Sequence, residues 1–575
     1  MAQTVKIEIP TRPPRKFLND TLKITAWEVL EPFFEDLKKR KINAVEELEK
    51  WLKDRSELEA VLEEDLAWRY IKMSIDTADE SLTKSYEFFV QEINPKVAPY
   101  SNELDKKLLD CPLLNELNEE KYRIYLRSVK KRIEIFREEN IPLLTQLQTE
   151  SQKYMAITGK MSIEQDGKEL TMQQAGKLLE STDRKLRETV FTKMAERRAQ
   201  DVDELNELFN HLIKLRHKVA QNAGFENYRD YMFAAMGRFD YSVQDCRNFH
   251  ESIAREIVPI VRDFHLERKE KLGLDALRPW DMDVDITGKP PLKPFEKSEE
   301  LVTKTALCFR EIRPFFADCI ETMNTMGHLD LESRKGKAPG GYNYPLHEIG
   351  VPFIFMNAVG SLSDVTTMVH EGGHAIHSFL TRKLELTDFK STPSEVAELA
   401  SMSMELISME NWEVFFENEN ELKRAKQEQM QRGIQILPWI ATVDKFQHWI
   451  YENPEHSVEE RTAKWVEILD EFGTGVSDWS GFEEARSNSW QKQLHIFEVP
   501  FYYIEYGMAQ LGAVAMWRNY KQHPQQALDG YEAFMKLGYT KSIPEIYGAA
   551  GIKFDFSGEY VKELAGFVRD ELAKI

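Results

Sequence analysis

Apolar and polar positions repeat with a period near 3.6 along most of the chain, the mark of helices that each bury one face. Between Thr21 and Leu66, residues Trp27, Leu30, Phe33, Phe34 and Leu37 recur at three- and four-residue intervals among charges. The same spacing marks 121–137, through Tyr122, Tyr125, Leu126, Val129 and Ile133, and it resumes over 182–237. Arg123, Lys130, Lys131 and Arg132 within the second of these read as a solvated helix face with opposite charges nearby. Elsewhere the helical rhythm breaks. Ser162 to Thr171 sets Asp166-Gly167 between two short alternating stretches and predicts a β-hairpin. Arg278 to Pro294, rich in Asp and Pro without the spacing of a calcium loop, predicts a plain solvated loop. Val351 to Asn357 predicts a strand, and Pro352, which has no N–H for a ladder, puts that strand at a sheet edge. An edge strand can take an extended peptide as one more strand.

Composition narrows the class. With 76 basic against 97 acidic side chains the net charge is −21, which argues against nucleic acid and anionic membranes as partners. No apolar run approaches a membrane span, and Met1 to Pro10 lacks the apolar stretch of a leader. Four scattered cysteines without a CxxC pair exclude a thiolate zinc cluster and fit a reducing, cytoplasmic setting. A length of 575 residues by itself suggests several domains.

The chemistry concentrates after the predicted strand. Ser361 and Asp364 form a capping-box pattern that opens a helix carrying His370-Glu371-Gly-Gly-His374-Ala-Ile-His377. His370 and His374, four apart, share one helix face and can bind one zinc ion. Glu371 lies where it can accept a proton from metal-bound water rather than ligate. His377 stands two turns from His370, too far along the axis to join the same ion, and reads as a ligand's neighbour or core. The third ligand is expected on the next helix, which Thr392-Pro393-Ser394-Glu395 opens with Thr as cap and Glu395 closing the box. That leaves Glu398 as the third ligand, with Glu395 the alternative; Glu405 and Asp364 are placed to orient a ligand imidazole. An aminopeptidase-type spacing would put the third ligand at Pro393, which cannot bind metal. Near the C-terminus, Tyr502, Tyr503 and Tyr506 cluster on a helix start, where a phenol can stabilise an oxyanion without adding charge.

His370 to His377 followed by Glu398-Leu-Ala-Ser-Met-Ser-Met-Glu405 resembles the thimet oligopeptidase and oligoendopeptidase F family of zinc peptidases. Gly336-Lys-Ala-Pro-Gly-Gly-Tyr342, Pro352-Phe-Ile-Phe-Met-Asn357 and His495-Ile-Phe-Glu-Val-Pro-Phe-Tyr-Tyr-Ile-Glu-Tyr506 resemble the oligoendopeptidase F branch, and the likeness runs from about Gln200 to the C-terminus. It implies a mainly α fold: a large helical two-lobed, clam-like shell around a deep channel, with a small β-sheet beside the metal-site helices. The N-terminal helical lobe would span 1–199 and the catalytic domain 200–575. It implies a gluzincin-type metalloendopeptidase that cuts internal bonds of short peptides and holds one zinc ion per chain on His370, His374 and Glu398, with Glu371 as base. His495 with Tyr506 or Tyr502 would stabilise the oxyanion, while Phe353, Ile354, Phe355, Met356, Asn357 and Tyr503 would contact substrate. The chain would be a cytoplasmic monomer or homodimer.

Overall fold

The computed structural model describes residues 9–575 except Lys335. Most of the N-terminal stretch considered above as a leader thus lies outside the described residues. The fold is mainly α with two small sheets. The helices used below are α1 (Val45–Ile75), α2 (Glu119–Ile135), α3 (Val243–Ser252), α4 (Leu362–Thr381), α5 (Ser394–Ser408), α6 (Glu419–Glu452) and α7 (Tyr503–Gln522). Two main hydrophobic cores organise them. One gathers Leu48, Trp51 and Leu58 of α1 with Tyr122, Tyr125 and Val129 of α2, and takes in Leu386 and Phe389 from the segment between α4 and α5. The other, much larger, runs from Leu147 to Val568 and holds the buried faces of α3 to α7.

Most basic residues of α2 are paired, among them Arg127 with Asp240 at 2.8 Å and Arg132 with Asp105 and Asp388 at 3.0 and 2.8 Å. The expected hairpin forms from β1 (Ser162–Gln165) and β2 (Lys168–Thr171). Its turn residues Asp166 and Gly167 have φ of 52° and 73°, the left-handed pair that matches strand twist in a two-residue hairpin. The loop at 278–294 departs from the solvated reading. Asp281 is fully buried and bridged by Arg184 and Arg187, each at 2.8 Å, because an unpaired carboxylate could not be desolvated there.

The second sheet overturns the edge-strand expectation. β3 (Leu329–Glu332), β4 (Tyr342–Tyr344) and β5 (Phe353–Ala358) are ordered β3-β5-β4, so β5 is central. It pairs parallel with β3 and antiparallel with β4. Pro352 does not constrain this, since it precedes the strand and contributes only its carbonyl, which accepts from His328 Nδ1 at 3.0 Å. Phe353, Ile354, Phe355 and Met356 are buried, and the backbone of Phe353 to Asn357 has no free ladder side for a peptide. The edges are β3 and β4.

Helices α4, α5 and α7 pack face to face around α5. Their approach is set by small residues. A Cβ on Gly373 would lie 2.6 Å from Ser401 Cα, and one on Gly512 would lie 2.8 Å from Leu399 Cδ1. The first clash is with backbone, so no side-chain rotation relieves it. Gly373→Ala is therefore expected to destabilise the protein by roughly 1–3 kcal/mol or more. Calorimetry should show a lowered thermal midpoint; an unchanged midpoint would mean that α4 and α5 can separate freely.

Candidate active site

The α4 cap forms as the sequence predicts. Ser361 Oγ accepts from the Asp364 amide at 3.2 Å, and Asp364 Oδ2 accepts from the Ser361 amide at 2.8 Å. Asp364 also accepts from the Val359 amide at 2.9 Å. Its carboxylate is engaged by the cap and touches no imidazole, which corrects its assignment as an orienting partner.

About two and three turns further on, His370 and His374 project from α4 toward α5 with ring centroids 4.9 Å apart. Glu398 Oε2 lies 3.3 Å from His370 Nε2 and 3.6 Å from His374 Nε2. The three donor atoms lie within 4.8 Å of one another. Burial opposes charge on Glu398, yet the imidazoles of His374 and His370 outweigh it and hold the carboxyl well below its usual range. Ser401 Oγ donates to Oε2 at 3.1 Å and Tyr502 Oη donates to Oε1 at 2.8 Å, so both carboxylate oxygens are held. Glu405, one turn further along α5 than Ser401, faces His370 Nδ1 at 2.7 Å. A proton carried on Nδ1 toward Glu405 would leave Nε2 to ligate an ion shared with Glu398 and His374. Two imidazole nitrogens and one carboxylate oxygen are the donor set of a zinc site with an open position, and the residues fit that ion.

Glu371 is buried, and its Oε2 has no hydrogen-bond partner among the described residues. Burial raises its pKa, the direction that suits a proton acceptor at neutral pH. His377 packs against Phe534 and stays outside the donor group. Burial drives its pKa down to about 3, so its ring is neutral. Glu395 points away, accepting from Tyr241 Oη. It closes no capping box, because α5 begins at Ser394 and has no side-chain cap.

The C-terminal tyrosines take separate places. Tyr502 and Tyr506 line the same cavity as His370, Glu371, His374 and Glu398, whereas Tyr503 is not on its wall. Tyr503 packs behind His495, with ring centroids 4.9 Å apart. The Gln493 amide meets His495 Nδ1 at 2.7 Å, and His495 Nε2 faces Tyr506 Oη at 3.5 Å. Burial lowers the His495 pKa to about 4, making it a neutral donor rather than a cation. Burial likewise raises the Tyr502 and Tyr506 phenols, with Glu398 adding to both, so they remain protonated.

The cavity has a volume of about 410 Å³, and Gly341, Tyr342 and Asn343 of the β4 edge form part of its wall. Several residues here escape a motif search. Asn343 donates from its side chain to the Glu371 carbonyl at 3.2 Å, tying β4 to α4. Gln429 of α6 donates to Glu405 Oε2 at 2.8 Å and accepts from Thr366 at 2.9 Å. Neither sits in a local pattern, since each acts across tertiary contacts far apart in sequence.

Comparison with known proteins gives the family. The model of peptidase family M3 matches residues 177–566, and that of the peptidase M3 N-terminal domain matches residues 17–136. The chain is 24% identical over 375 residues to an oligoendopeptidase F homolog of Borreliella burgdorferi, covering 63% of this chain and 61% of that one. It is 21% identical over 384 residues to oligopeptidase PepF of Bacillus subtilis, covering 65% of this chain and 55% of that one. The chain thus matches under two-thirds of the length of either relative. A solved structure described as PZ peptidase A with inhibitor 2 superposes with a TM-score of 0.92 at 24% identity, over 97% of this chain and 99% of that one. The family match spans most of the chain and contains every residue of the donor group: this protein belongs to peptidase family M3.

Proposed function

We propose that the protein is a zinc-dependent endopeptidase that hydrolyses internal bonds of short oligopeptides in a closed channel. The carrying observation is the convergence of His370 Nε2, His374 Nε2 and Glu398 Oε2 on a cavity whose wall also holds Glu371. His370, His374 and Glu398 would hold the ion, which when bound supplies Lewis acidity toward water and the scissile carbonyl. Glu371 takes the proton of the attacking water and passes it to the leaving amine. The phenol of Tyr506, backed by His495, donates to the developing oxyanion. Tyr502 is committed to Glu398 Oε1 and positions that ligand instead. The β4 edge, rather than β5, would align the substrate backbone as an added strand.

The oligoendopeptidase F homolog and PepF supply the substrate class by their names alone. The two cores support a two-lobed body divided near residue 200, although Leu147, Tyr154 and Met161 already pack in the larger core. The described cysteines are all unpaired, which supports a cytoplasmic setting, as a monomer or homodimer. No described helix is long and apolar enough to cross a membrane.

A quenched peptide blocked at both ends should be cut by the purified protein and spared when zinc is chelated. Glu371→Gln should keep its zinc yet lose about 10²–10⁴-fold in kcat. Cleavage at the wild-type rate by that variant would remove Glu371 from the mechanism. Tyr506→Phe should cost about 10²–10³-fold in kcat with zinc retained; Tyr502→Phe should instead weaken zinc binding, and the reverse pattern would exchange their roles. Glu405→Gln should lower zinc affinity about 10–100-fold in a competition titration, and unchanged affinity would show that His370 needs no partner.

A further inference from the structure

A second cluster of donors lies in the larger core, on α3 and α6. Cys246 and His250 stand four apart on α3, and Asp444 and His448 stand four apart on α6, so each helix turns one pair toward the other. All four are buried: Cys246 and Asp444 completely, His250 and His448 to within 5% exposure. Cys246, Asp444 and His448 each offer a donor atom within 4.8 Å of the others. His250 Nε2 meets Asp444 Oδ2 at 2.8 Å, and His448 Nε2 lies 3.2 Å from the same oxygen.

The cluster is under-satisfied as a set of hydrogen bonds. Asp444 Oδ1 and His448 Nδ1 have no partner among the described residues, and His448 Nε2 reaches Asp444 Oδ2 only as an ion-pair contact without hydrogen-bond geometry. Leaving a fully desolvated carboxylate oxygen and an imidazole unpaired is costly, and such groups call for a ligand. The surrounding wall is apolar: the His448 ring packs against Phe501 and Phe233, with centroids 5.4 and 6.1 Å away. Lys445 and Asp245 lie on these helices at half-buried positions, and Arg238 faces Phe501 and Glu505.

We propose that Cys246, Asp444 and His448 form a second, structural zinc site, with His250 orienting the Asp444 carboxylate. Thiolate, carboxylate and imidazole together suit zinc better than calcium or magnesium, which take oxygen ligands. Binding removes the thiol proton from Cys246, as zinc does to any coordinating cysteine. The site clamps α3 to α6 next to Gln447, whose Oε1 accepts from the Phe501 amide at 2.8 Å. Phe501 has φ of 69°, strained for a non-glycine residue, and precedes Tyr502, which holds Glu398. The clamp therefore braces the segment that aims Tyr502. The inference does not depend on the proposed peptidase mechanism.

The test is metal stoichiometry on the full chain, produced in zinc-supplemented medium and measured by elemental analysis. Wild type should carry two zinc ions, Cys246→Ala one, and the double variant His370→Ala/His374→Ala one. Two ions in Cys246→Ala, or one in wild type that disappears in the double variant, would overturn the second site. Should Cys246→Ala fail to fold, cobalt substitution of the wild type decides. The His370–His374–Glu398 group has no sulfur, and of the described cysteines only Cys246 stands in a donor group, so a near-ultraviolet thiolate-to-cobalt band is assigned to Cys246. Its absence from a fully cobalt-loaded wild-type protein would sink the proposal. Its persistence in the double variant would uphold the site even if the peptidase reading failed.

Discussion

The Glu398 carboxylate, buried between two imidazoles, a serine hydroxyl and a phenol, is the interaction on which the rest of the site depends. A lone carboxylate would not be ionised at such a depth, and here charge is stabilised only because His370 and His374 approach from α4. That approach requires α4 and α5 to nearly touch, which Gly373 against the Ser401 backbone allows. The site is therefore a property of a helix crossing. Any side chain inserted at the crossing would separate the donors.

Around this centre the polar contacts fall into layers that orient one another. Gln429 holds Glu405, Glu405 holds His370, and Tyr502 holds Glu398, so two of the three donors, His370 and Glu398, have a partner fixing their direction. Such support is what keeps ligands directed at one point when side chains would otherwise sample several rotamers. Asn343 adds a bond from the sheet to the Glu371 carbonyl, which couples the exposed strand edge to the helix bearing the proposed base. Tyr506 stands on the cavity wall with His495 behind it, both half-buried and neutral.

The same economy of contacts explains why the N-terminal core matters to the site. Leu386 and Phe389, between α4 and α5, pack into that core, and Ser56 Oγ of α1 accepts from the Thr387 amide at 2.6 Å and meets its hydroxyl at 2.9 Å. The connection between the two donor helices is thus anchored on α1. At the other side, the left-handed Phe501 is caged by Gln447, Arg238 and aromatic rings, holding the entry of α7 in a conformation it would not choose alone.

Much was legible in the sequence wherever the determinant was local. Helical periodicity, the Asp166-Gly167 turn and the Ser361 cap are set by residues within one or two turns, and the spacing of His370 and His374 follows from helix geometry. Glu398 could be named because a helix start lies just ahead of it, although the capping box assigned there does not form. The failures share a cause. Whether β5 is central or at an edge depends on β3 and β4, which come from separate segments. Asp364 reads from the sequence both as a cap and as an imidazole partner, and backbone amides leave it only the first role. Tyr502, Tyr503 and Tyr506 are equivalent as a pattern, and only the packing of α7 against α5 separates them. Cys246 looked isolated because its neighbours, Asp444 and His448, lie nearly two hundred residues away on α6. Sequence determined which residues could do chemistry and which helices would carry them. Tertiary structure decided which of them meet, because meeting depends on side-chain volumes and pairings contributed by segments distant along the chain.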